Sequence, residues 1–402
     1  MRKLFAFAFL FISAFSCKEK YVPKLNLTAT SFLVVEGFIN SGAGPTTITL
    51  TRTTPVTDTA TVVYERGATV RVEAQGGTNF PLSEINSGVY SISQLTLNSG
   101  LQYRIYVKTK DGKEYVSDYS SVRKTPDMDS VWWKPKDGGV QICVDTHDPL
   151  NKTVFYQWKY NQTWEFHSKY ISTLVITWDS SGTARFAPNP RITGVKFKDP
   201  LRPGVADSSI LICWKSDSLA SINIGSSERL AQDVIHEQHL AFLPPNSQQL
   251  SVLYSTIVYQ YALSEKAYRF YQQLKKNTEQ LGTTFDSQPS DNTGNMHCLS
   301  NPSEIALGFV EVTEEKKKRI FIKNTDVPGW NYQPDCGPEV KVKNDSDYAR
   351  LPSPLRTYMT AGMLTTVAEW GGASGIDYVY FADRLCVDCT ITGYNKRPSF
   401  WP

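Results

Sequence analysis

After its first sixteen residues the chain has no apolar run of bilayer-spanning length, which takes roughly 20 residues. Charge of one sign is also lacking: 42 Lys and Arg stand against 39 Asp and Glu, a formal net charge of +3. Without Arg2 and Lys3, which precede the first apolar run, about +1 remains. Such a balance leaves no electrostatic footprint for nucleic acid or a strongly acidic partner. Catalytic signatures are missing too. No Gly-rich phosphate loop follows a strand and opens a helix, and GxSxG does not occur. Internal repeats and low-complexity tracts are absent.

Four clusters come near a chemical motif and miss it. His236-Glu237-Gln238-His239 puts its histidines three apart, whereas a zinc-peptidase helix needs them four apart to face one metal. It reads as polar residues ending a strand. Asp145, His147 and Asp148 fall at DTHDPLN, and two of the three belong to a turn that needs such side chains for local hydrogen bonds. Asn344-Asp345-Ser346-Asp347 lacks the Gly and closing Glu of a calcium loop. Cys386-Val-Asp-Cys389 is half a zinc site with no second CxxC to complete it. No metal, cofactor or catalytic residue is therefore expected, and the chain reads as a non-enzyme.

What the chain does have begins at its start. In MRKLFAFAFLFISAFSCKEK, a basic pair precedes an apolar run from Leu4 to Phe15 and then Ser16-Cys17. A dozen apolar residues suit a secretory signal, and the cysteine at the cleavage position resembles the acceptor of a bacterial lipoprotein. Phe15 departs from the small residue preferred there. Residues 1–16 are thus expected to be a signal peptide, Cys17 the lipidated first residue, and polar 17–31 a tether. Diacylglyceryl plus N-acyl anchoring holds a chain on a membrane surface. Lys18-Glu19-Lys20 is too mixed in charge to name the face of the outer membrane.

With Cys17 set aside, six cysteines remain: Cys143, Cys213, Cys298, Cys336, Cys386 and Cys389. An even set in an exported chain reads as disulfides, with 15 ways of pairing. Cys143 and Cys213 both lie in strand-like runs of the middle region and are expected to pair. The other four pair among themselves.

From Phe32 onward, short alternating runs are broken by turns such as NSGAGP, Gly76-Gly77, Asn98-Ser99-Gly100 and Asp111-Gly112. This spacing predicts an Ig-like or transthyretin-like β-sandwich over 32–125, with a boundary at Thr125-Pro126. The remainder, 126–402, predicts a larger β-sandwich region carrying one amphipathic helix near 264–282, making the fold mainly β. In that helix Ser264 is the N-cap, Gly282 the terminator, and Ala267, Phe270, Tyr271, Leu274 and Leu281 form the buried stripe. Glu314–Arg319 reads as a charged turn, and 325–356 as polar loops. Of nine tryptophans, Trp158 and Trp214 sit in strand patterns that bury them. Trp164, Trp330 and Trp370 lie near loops and are candidate ligand contacts.

The blocks VVEGFIN, CWKSDSLASINIGSS, YALSEKAYRFYQQLKKNTEQLGTTFDSQPS, NPSEIALGFVEV, KRIFI and CVDCTITGYNKRPSFW occur in a recognisable order. The whole resembles a Bacteroidota lipoprotein family known as domain of unknown function four-two-four-nine. Ser399 stands where an acidic residue is common in it, and Pro402 extends past the usual terminal tryptophan. Members are commonly encoded beside a TonB-dependent outer-membrane receptor. The resemblance implies an accessory lipoprotein of the outer membrane, facing the cell surface or else the periplasm, that docks on such a transporter and helps capture a small-molecule, glycan or peptide ligand. It carries no catalytic residues to transfer. Surface adhesion and, less so, surface glycan or peptide hydrolysis are the alternatives.

Overall fold

The computed structural model describes residues 31–54, 62–179, 191–218, 221–279, 294–344, 354–370 and 375–402. Cys17, the tether, Leu281, Gly282, Asp345–Asp347 and loop 371–374 lie outside them, as does the side chain of Trp370.

The chain is mainly β, and period-two alternation is the local reason. In Leu33–Asn40 the residues Leu33, Val35 and Ile39 are buried while Glu36 is exposed. In Thr46–Arg52, Thr46, Ile48 and Leu50 are buried while Thr47 is exposed. Side chains on a strand point to alternate faces, so each segment has one face for the core.

The first β unit is a 12-stranded sheet whose path runs from Met296–Cys298 through Glu114–Ser117, Gln102–Lys108 and Thr69–Ala74. It continues through Asn79–Asn86, Val89–Ile92, Thr46–Arg52 and Leu33–Asn40 to Ala306–Leu307. Both outer strands of this path thus come from beyond residue 290, far from the 32–125 stretch that supplies the strands between them, and Val312–Thr313 also pairs with Leu33–Asn40. The two ends of the path meet, because Gly294 bridges Gly308 and the Asn295 N–H donates to the Gly308 carbonyl at 3.0 Å. The sheet curls into a nearly closed barrel. Gly308 makes this closure feasible: its φ is +129°, and a Cβ there would sit 2.0 Å from the Val35 carbonyl oxygen. Glycine alone tolerates that approach.

The second unit is a sandwich. One layer pairs Met128–Lys136, Gly139–His147 and Val234–Leu243. The other is five-stranded, built on the long antiparallel pair Phe155–His167 and Leu253–Leu263 and edged by Lys316–Lys323. Tyr156, Trp158, Tyr160, Trp164 and Phe166 point inward and meet Val131, Val140, Ile142 and Val144 of the first layer. A buried polar link ties the layers together. Trp158 donates to Gln260 at 2.8 Å, and Gln260 donates across to Thr146 at 2.9 Å. A third, smaller assembly joins the hairpin Leu174–Asp179/Arg191–Phe197 to the sheet of Val340–Lys343, Ile376–Asp383 and Met363–Trp370.

The helix runs Glu265–Glu279, and the Ser264 hydroxyl accepts from the Ala267 N–H at 3.1 Å as an N-cap should. Ala267 and Tyr268 are its most buried residues, and Phe270 meets Phe309 at 5.5 Å between ring centres. It covers the joint between the two β units, where Phe38 of the first joins Tyr261 and Leu263 of the second.

Three expectations are corrected here. Cys143 and Cys213 do not pair: Cys213 bonds Cys389, Cys336 bonds Cys386, and Cys143 and Cys298 are buried free thiols. Alternation explains Cys143, since Ile142 and Val144 face the inter-layer core and the residue between them faces away. Cys298 is carried off to the barrel by the strand Met296–Cys298. Next, Lys316–Arg319 belong to a strand rather than a turn. That strand is the edge of its sheet, where lysines discourage further pairing. Lastly, the 325–356 stretch contains the strand Val340–Lys343, whose Val342 is buried in the smallest core.

Candidate functional site

The residues with chemical potential in the sequence turn out to be occupied by folding. The Asp148 carboxylate accepts from the N–H groups of Leu150, Lys152 and Thr153 at 2.9, 3.0 and 2.9 Å. Burial alone would raise its pKa, but those amides outweigh it and leave it below the usual carboxylate value. Asp145 takes the Glu237 N–H at 2.7 Å and the Ser130 hydroxyl at 2.7 Å, and pairs with His236 at 3.0 Å. Glu237 itself has φ +55° at a bulge in the strand pairing, and its carboxylate pairs with Lys134 and with His239. The four-residue cluster is therefore a bulged strand segment with local partners. His147 lies 2.8 Å from Asp129, which raises the imidazole pKa above its ordinary value.

The tryptophans are also reassigned. Trp164 is 5% exposed and Trp330 is 8% exposed, and both belong to the sandwich core. Trp330 is buried because its loop folds over the sandwich end, where its indole N–H donates to the Ser247 carbonyl at 3.1 Å. Neither is a surface contact. Cys386 and Cys389 each close a disulfide, so the CxxC spacing holds no metal.

Two clefts open where the barrel meets the sandwich. The larger, of about 1170 Å³, is bounded by the linker around Arg123–Asp127 and the turn from Asp148 to Thr153. Its charges are mostly neutralised locally: Lys316 pairs with Asp127 at 3.1 Å and Glu314 at 2.9 Å, and Arg123 lies 3.8 Å from Glu311. Glu311 is buried and accepts from the Ser264 N–H at 3.1 Å. Loss of water raises its pKa.

The smaller cleft, of about 560 Å³, is differently composed. One wall is the outer face of the first barrel strand, where Glu36 lies opposite Thr49 and Phe38 opposite Thr47. The other is the outer face of the five-stranded sheet, where strand register sets Lys159, Tyr259 and Lys317 side by side. At its floor Phe38 and Tyr261 stack with centres 4.5 Å apart and planes 18° from parallel. Tyr261 donates to Glu315 at 2.6 Å, which leaves that carboxylate engaged. Lys159 Nζ stands 5.4 Å above the Phe38 ring. Its side chain keeps contact with solvent, yet the cleft walls displace enough water to lower its pKa, against the pull of Glu36 and Glu315.

These cleft residues were not singled out in the sequence. Lys159 left one signal: it interrupts FYQWKYNQTW at a position whose neighbours, Trp158 and Tyr160, face the core. Nothing in sequence joins it to Phe38, more than a hundred residues earlier.

Residues 18–319 match the family described as Domain of unknown function (DUF4249), so the chain belongs to that family. The match spans the barrel and most of the sandwich, including both walls of the smaller cleft. No curated protein matches the chain.

Proposed function

We propose that this protein is a non-catalytic accessory lipoprotein, anchored in the outer membrane through Cys17, that docks on a TonB-dependent transporter and assists capture of its ligand. The observation that carries the reading is the smaller cleft. It is walled by two sheets that are each fixed by backbone pairing, and it combines an aromatic floor with charged and amide side chains. Pockets that bind small molecules share that composition, an apolar surface with a few placed polar groups. The local partners of Asp145, Asp148, His236 and Glu237 support a binding role over acid–base work, since each already serves a turn, a bulge or an ion pair.

The test is recovery of the tagged protein from membranes in mild detergent. A TonB-dependent receptor is expected to come with it, and the Cys17→Ala chain is expected to leave the membrane fraction. A wild-type chain that brings no receptor, or a variant that stays membrane-bound, overturns the reading.

A further inference from the structure

The basic run of the edge strand separates into two kinds of residue. Lys316 is held by Asp127 and Glu314, Lys318 donates to the carbonyls of Met128 and Asp129, and Arg319 donates to Ser255 while lying 3.7 Å from the Phe400 ring centre. Lys317 is the exception. It is exposed, lines the smaller cleft, and among the described residues has no carboxylate at ion-pair distance. Lys159 shares that condition two strands away, with Tyr259 directly between them in register. Neighbouring strands lie about 4.8 Å apart, so the two lysine stems rise roughly 10 Å from each other and their flexible arms can converge on one group above the tyrosine.

Two cations with no carboxylate at ion-pair distance among the described residues, flanking a partly buried aromatic ring inside a walled cleft, amount to a receptor for a group that supplies negative charge and a flat face. We propose that the smaller cleft binds a ring-bearing organic monoanion, its carboxylate held between Lys159 and Lys317 and its ring laid against Tyr259. Glu36 and Glu315 line the same cleft and set an upper limit on charge. They tolerate one negative charge balanced by two lysines and repel a polyanion. Anion binding also restores to the Lys159 ammonium the stabilisation that burial removes, and Thr47, Thr49 and Asn161 offer hydrogen bonds to ring substituents. The proposal deepens the ligand-capture reading and rests on it for its biological sense, but its chemistry needs no receptor.

The experiment uses purified full-length chain and two probes, 2-naphthoate and the uncharged 2-naphthalenemethanol, by calorimetry at low and high salt. Naphthoate is expected to bind one site, to weaken with salt, and to bind at least about tenfold more weakly to the Lys159→Met/Lys317→Gln variant, the loss of one charge-assisted contact. The alcohol is expected to bind weakly and equally to both. Lys317→Gln alone, a change at an exposed position, serves if the double variant unfolds. Absence of naphthoate binding, or equal binding by wild type and variant, overturns the proposal. A chain that recovers its receptor yet ignores naphthoate refutes this inference and leaves the transport reading standing, and the converse result separates them the other way.

Discussion

Among the described residues, the barrel buries twenty residues in one core and has no disulfide, while the smaller assembly of hairpin, short sheet and the helix Pro354–Thr360 buries seven. Both disulfides lie on the approaches to that smaller core, with Cys213 and Cys389 themselves packed in the sandwich. Cys336–Cys386 fastens the loop before the short sheet to the turn after it, and Cys213–Cys389 fastens that turn to the sandwich. A small core offers little area for burial, and a cross-link compensates by limiting the freedom of the unfolded chain. The barrel relies instead on strands borrowed from residues 296–313, so its link to the rest is made by backbone pairing.

That contrast can be broken most forcefully at Cys213–Cys389. The double replacement by alanine should cost about 2–5 kcal/mol in denaturant unfolding, typical for a native cross-link. Protease cleavage should then appear first in residues 325–402, with the barrel intact; early cleavage in the barrel would mean the two regions are one cooperative unit. Gly308→Ala attacks the other side. It places a Cβ against the Val35 carbonyl at a positive φ, and a loss of about 2–3 kcal/mol is expected from such strain. Hydrogen exchange should rise at Met296–Cys298 and Leu33–Asn40, leaving the disulfide-linked end protected.

Smaller effects belong to the joint between the regions. Ser264→Ala removes the helix N-cap and should lower stability by about 1 kcal/mol, read from the thermal midpoint. Glu311→Gln tests the buried carboxylate beside it. Because burial raises the folded pKa above the unfolded one, the native state holds the proton more tightly in between, and stability falls as pH rises through that window. Glutamine keeps an acceptor for the Ser264 N–H but cannot ionise. The denaturation midpoint of the variant should therefore lose that part of the pH slope, and an unchanged slope would assign it elsewhere.

Local features were legible wherever the cause was local. The period-two runs, the Ser264 cap and the Asp148 turn each arise from a few neighbouring residues, and each is found as read. Lys316–Arg319 misled because four consecutive basic residues look solvated, whereas an edge strand exposes them while remaining paired on one side. Trp330 misled because a loop in sequence can be a lid in space.

The cysteines draw the line most clearly. Their number and the basic-then-apolar run before Cys17 are properties of composition and order, and on them rested the expectation of an exported chain with cross-links. Which sulfur meets which depended on the face each strand turns to its neighbours and on the return of residues 296–298 to the barrel. The same holds for the cleft: Lys159, Tyr259 and Lys317 are ordinary surface residues along the chain. Their alignment, and the Phe38 wall opposite, exist only because antiparallel register and sheet packing bring distant segments within contact, where alternation along any one strand has no reach.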